Sequence, residues 1–87
     1  MMKMIVAILP NTLSEEVSEI LVENGYRVTK FASTARFLQG GTTTLMIGIE
    51  ASQVDETLAL IREHVPQKED QIQATIYVIN IKMFERI

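Results

Sequence analysis

Two strand–helix–strand patterns follow one another within 87 residues, and the apolar residues of their strands do not alternate with polar ones. Met4 to Leu9, Leu45 to Ile49 and Ile76 to Ile79 are apolar at nearly every position, whereas a sheet with one solvated face should read apolar, polar, apolar. Two short helices can cover one face. The other face would then expose more apolar surface than a soluble monomer usually carries, so the pattern predicts that copies of the chain bury it against one another. The alternative cover is the tail from Lys82 to Ile87, with Met83, Phe84 and Ile87, which is short for that task.

The local signals place the elements. Met4 to Leu9 reads as the first strand, stopped by Pro10-Asn11, and Thr12-Leu13-Ser14-Glu15 has the spacing of a capping box that opens a helix. Leu13, Val17, Ile20 and Leu21 form its apolar stripe, Glu15, Glu16, Glu19 and Glu23 its mostly solvated side, and Gly25 fits the position just past its end. Tyr26 to Phe31 reads as strand two and Thr42 or Thr43 to Ile49 as strand three, with the Ser33–Gly41 loop between them. Ser52 is the expected cap of a second helix that turns Val54, Leu58, Ile61 and Val65 inward and stops at Pro66. The fourth strand is expected from about Gln73 to Ile81. Two such units in so short a chain predict one domain over residues 1–87. Its class is α+β, a ferredoxin-like βαββαβ sandwich with an antiparallel sheet and both helices on one face.

Composition excludes more than it selects. Eight basic residues are outnumbered by eleven acidic ones and form no run, so nothing offers a footprint for a nucleic-acid backbone. No apolar run approaches the roughly 20 residues that span a bilayer, and MMKMIVAILP reads as the first strand rather than as a signal peptide. The absence of cysteine removes thiol catalysis, disulfides and thiolate metal sites, and fits a reducing cytoplasm. One histidine, His64, stands near a predicted helix C-terminus and reads as structural. With no metal-ligand cluster, no nucleophile–base pair and no cofactor motif, the expectation is a non-enzymatic protein without cofactor. The methionines read as scattered gap-fillers.

The segment from Arg27 to Gly48, RVTKFASTARFLQGGTTTLMIG, is where binding chemistry concentrates. A loop rich in hydroxyls and glycine offers hydrogen bonds and close backbone approach, and Phe37-Leu38 offers an apolar surface to a flat ring. The same composition also describes a hairpin connection that tucks Phe37 and Leu38 onto the body.

RVTK, ST, FL and GTTTLMIG, with an N-terminal KMIVAI and a C-terminal ATIYVINI, resemble the PII-like family that includes cyclic di-AMP receptor proteins. The resemblance covers nearly the whole chain. It implies a homotrimer of ferredoxin-like protomers packed through their sheets and a ligand site between neighbouring subunits. The ligand would be cyclic di-AMP or another adenine nucleotide, and the activity signalling to a protein partner rather than catalysis. Carried over by position, the implied ligand-binding residues are Arg27 and Thr29 on strand two, Phe37 and Leu38 in the loop, Gly41 and Thr42 at its end, and Gly48 on strand three; Tyr77 keeps an aromatic on strand four.

The chain departs from the ligand-binding members in four places. Ala35-Arg36 stands where they have Gly-Gly, Thr42 where they have Asn, and Arg86 where they have Gln, while a long loop before strand four is reduced to Pro66–Ile72. A Thr hydroxyl makes fewer bonds than an Asn amide, and Arg36 adds a side chain where a bare backbone could approach the ligand, with a guanidinium that could instead contact a phosphate. A trimeric interaction module that has lost nucleotide binding is therefore the second reading of the sequence.

Overall fold

A computed structural model of the chain describes residues 1–32, 41–66, 73–83 and 85–87. The elements run β1 (Met2–Pro10), α1 (Asn11–Glu23), β2 (Val28–Ala32), β3 (Thr42–Glu50), a 3₁₀ turn (Ala51–Gln53), α2 (Val54–Glu63) and β4 (Thr75–Asn80). They form one sheet in the order β2-β3-β1-β4 with every pairing antiparallel. This is the expected ferredoxin-like arrangement, in which the two longest strands, β1 and β3, lie side by side at the centre.

Register divides the strands into two faces. Ile5, Ala7 and Leu9 of β1 and Leu45, Ile47 and Ile49 of β3 point to the helix side, where Val17 and Leu21 of α1 and Ile61 of α2 complete a core of fully buried side chains. The intervening residues, Met4, Val6 and Ile8 of β1 with Thr44 and Met46 of β3, lie on the face without helices and are only half-buried. On β4 the same face carries Tyr77 and Ile79, which pair with Val6 and Met4 and are 54% and 49% exposed. The apolar character of both sheet faces is thus real on β1 and β4, while β3 alternates more than its sequence suggested, with threonines and Gly48 on its open side. Among the described tail residues, Met83 and Ile87 are exposed and leave that face open; Phe84 lies outside the described residues.

Both helix starts differ from expectation. α1 begins at Asn11 behind Pro10 and has no side-chain cap, so Thr12 does not form the anticipated capping box. The Asn11 side chain instead accepts a hydrogen bond from the Thr43 hydroxyl, and the Ser14 hydroxyl donates 2.9 Å to the Asn11 carbonyl. At the second start the box exists but is set by Glu50 and Gln53 around the 3₁₀ turn, not by Ser52. The end of α1 agrees with the sequence. Gly25 sits at φ 86°, its N–H bonds the Val22 carbonyl at 3.0 Å and the Tyr26 N–H bonds the Leu21 carbonyl at 3.0 Å, the paired bonds of a Schellman motif. Gly25→Ala is expected to cost about 1–2 kcal/mol in a urea melt, because a Cβ disfavours this left-handed backbone even though nothing lies within 4 Å of it.

Candidate functional site

A cavity of about 560 Å³ opens at the end of the sheet where β1 begins and β3 ends. Its size falls within the range of small-molecule sites, roughly 300–1,000 Å³. One wall is β2 and the turn before it, with Tyr26, Arg27, Thr29 and Phe31. The floor is the open face of β1 and β3, with Met4, Met46 and Gly48, and the tail supplies Ile81, Met83 and Arg86 opposite.

Sheet pairing explains how residues distant in sequence meet here. Gly48 pairs with Met4, and Thr29 pairs with Met46, so all four share the face away from the helices. Arg27 precedes the first paired residue of β2, Val28, and lies at the Gly48 end of β3. Gly48 has no positive φ and nothing within 4 Å of the place a Cβ would occupy, so its use here is the space it leaves above the sheet. The tail is brought alongside β1 by the Ile81 N–H, which donates 3.2 Å to the Met2 carbonyl.

The electrostatics have one sign. Arg27 and Arg86 both line the cavity, and no aspartate or glutamate is among its described lining residues, although the chain as a whole carries a net charge of -3. Neither guanidinium belongs to an ion pair among the described residues; the ion pairs there are the N-terminal amine with Glu50 and Lys30 with Glu15, while His64 Nδ1 lies 3.7 Å from a Glu16 carboxylate oxygen. Two cations with no ion-pair partner among the described residues, a hydroxyl at Thr29, aromatic rings at Tyr26 and Phe31 and an apolar floor can hold an anion that carries a flat ring.

Of the residues singled out in the sequence, Arg27, Thr29 and Gly48 therefore line one cavity together with Arg86. Gly41 and Thr42 do not line it. Thr42 pairs with Pro10 at the opposite end of β3, six residues from Gly48, which is roughly 20 Å of strand. The Gly41 carbonyl accepts a 2.9 Å hydrogen bond from the Asn11 N–H, so this end of the loop is tied to the start of α1. Phe37 and Leu38 lie outside the described residues, as do residues 67–72 of the shortened second loop. The cavity also contains residues the sequence did not point to, chiefly Met2, Met4, Met46 and Met83. No local signal marks them, because only strand pairing and the course of the tail bring them together. Among the described residues no group of acidic or histidine side chains could hold a metal ion, and no helix is long and apolar enough to cross a membrane.

This fold is shared with PII. The crystal structure of Arabidopsis thaliana PII bound to citrate superposes with a TM-score of 0.73 over 92% of this chain and 74% of that one, at 20% identity. A functionally unknown protein from Pediococcus pentosaceus ATCC 25745 is nearer in sequence, with 32% identity, a TM-score of 0.82, and coverage of 99% of this chain and 97% of that one. Over residues 2–82 the chain matches the cyclic-di-AMP receptor family, and it belongs to that family.

Proposed function

We propose that the protein is a PII-like signalling receptor that binds an anionic adenine nucleotide, cyclic di-AMP by family, and transmits its presence without catalysis. The observation that carries this reading is the convergence of Arg27, Thr29, Gly48 and Arg86 on one cavity without a carboxylate among its described lining residues. The guanidiniums take phosphate oxygens, Thr29 supplies a hydroxyl, and the bare backbone at Gly48 admits the ligand close to the sheet. Gly41 and Thr42 stand too far along β3 to join the same compact ligand from the same copy, so their contribution would come from a neighbouring subunit. That fits a homotrimer assembled through the open sheet face, where Val6, Ile8, Tyr77 and Ile79 lie uncovered by the helices. Burial of that face is expected to show in solution as a three-copy assembly at micromolar concentration; a single folded subunit in sedimentation equilibrium would remove both the trimer and the shared site.

The loop between β2 and β3 is the natural place for a protein partner to detect the ligand, since its C-terminal root holds Gly41 and Thr42. Phe37 and Leu38 are assigned there on the family resemblance. Phe37→Ala is expected to weaken nucleotide binding about tenfold or more without dissociating the assembly, as a lost base-stacking contact costs about 1–3 kcal/mol. The deciding experiment is calorimetric titration of the purified protein with cyclic di-AMP and, separately, ATP. Saturable binding is expected, with thermal stabilisation that reaches about 2.7 kcal/mol when ligand stands at a hundred times its Kd. No heat and no change in Tm at millimolar nucleotide would leave the second reading, an interaction module without a nucleotide.

A further inference from the structure

Four of the five methionines of the chain, Met2, Met4, Met46 and Met83, line the cavity. They come from three places: Met2 and Met4 stand two apart on the open face of β1, Met46 lies across on β3 and diagonal to Met4, and Met83 arrives on the tail. Gly48 pairs with Met4 and puts no side chain over the floor between them.

Three uses of clustered thioethers can be weighed. Gap-filling inside the core is not their use, since none of the four belongs to the buried cluster between sheet and helices, and packing between copies would not call for the two arginines that line the same walls. A soft metal cation would suit thioether sulfur, but Arg27 and Arg86 line the same walls and no carboxylate among the described lining residues offsets them. The third use is contact with a flat π-system, which polarizable sulfur favours and which positive charge opposes only if the ring is itself cationic. An anionic nucleotide satisfies both halves of the cavity.

We infer that the methionine wall is the base-binding subsite: the nucleobase lies over Met4, Gly48 and Met46, with Met2 and Met83 at its edges and its phosphates toward Arg27 and Arg86. The inference rests on the nucleotide reading above and adds the residues that hold the ring. It also makes binding sensitive to oxidants. Hydrogen peroxide gives one oxygen atom to a thioether, forming a sulfoxide and releasing water, and a polar sulfoxide spoils an apolar wall.

The test is titration of cyclic di-AMP into the wild type, Met4→Leu, Met46→Leu and a variant with Leu at all four positions, each before and after mild peroxide treatment. Leucine keeps volume and apolarity, so the fold survives, but it removes the sulfur. The single variants are expected to bind three- to tenfold more weakly than the wild type. Peroxide is expected to weaken the wild type at least tenfold and to leave the affinity of the four-leucine variant where it was. If the wild type binds and neither the substitutions nor peroxide change its affinity, the base-binding subsite is overturned while the receptor reading stands. If the wild type binds no nucleotide, the receptor reading falls and the subsite with it.

Discussion

Arg27→Ala is expected to weaken nucleotide binding by about ten- to fortyfold. A hydrogen bond to a charged group contributes about 1.5–3 kcal/mol, and each 1.4 kcal/mol is a factor of about ten in Kd. Arg27 is exposed, so the lower half of that range applies. No ion-pair partner among the described residues competes for it, which leaves its donors available to a ligand. Arg27→Lys should recover only part of the loss, because it restores the charge without the two-pronged geometry. Calorimetry at two salt concentrations separates the effects: wild-type affinity should fall more steeply with added salt than that of the alanine variant, since one screened attraction is missing from the latter. An Arg27→Ala affinity within twofold of wild type would remove Arg27 from the site. Arg86→Ala provides the parallel measurement from the tail side of the cavity.

The largest expected effect on stability comes from Ile47→Ala. Ile47 is fully buried and pairs with Ile5 on one side and Val28 on the other, so it joins three of the four strands to the helix layer. Truncating such a side chain costs about 2–5 kcal/mol, through lost transfer energy and the void left behind. Small domains have only about 5–15 kcal/mol in total. The urea midpoint of the variant should therefore fall sharply with little change in slope, which reports lost stability rather than an altered denatured state. A midpoint shift equivalent to less than 1 kcal/mol would mean that the core relaxes around position 47 far more than its zero exposure implies.

Much of the architecture was legible because it is written in short-range patterns. Runs of apolar residues marked the strands, the spacing of Val17 and Leu21 marked the buried side of α1, and Gly25 marked its end. The helix starts were misread because Thr12 and Ser52 satisfy a local rule that tertiary structure overrides: Asn11 spends its side chain on Thr43 of a neighbouring strand, and Glu50 with Gln53 closes the second start earlier. Ser14 and Thr57, polar yet buried, were equally hidden, since each is made tolerable by a bond to a carbonyl three or four residues back that sequence does not announce. Within the site, Arg27, Thr29 and Gly48 were legible through family resemblance. The methionine wall was not, because Met4 meets Met46 only through the β1–β3 register and Met83 only through the path of the tail.

The two bonds that join Asn11 to Gly41 and Thr43 have a mechanical consequence. They solder the C-terminal foot of the β2–β3 connection to the opening turn of α1, whose outward side carries Glu15 and Glu16. A displacement of that foot is therefore expected to reach the opening turn of α1 and the exposed Glu15 and Glu16 beyond it. The Asn11 amide proton is its strain gauge: slower deuterium uptake there on ligand addition would register a tightened joint, and faster uptake a released one.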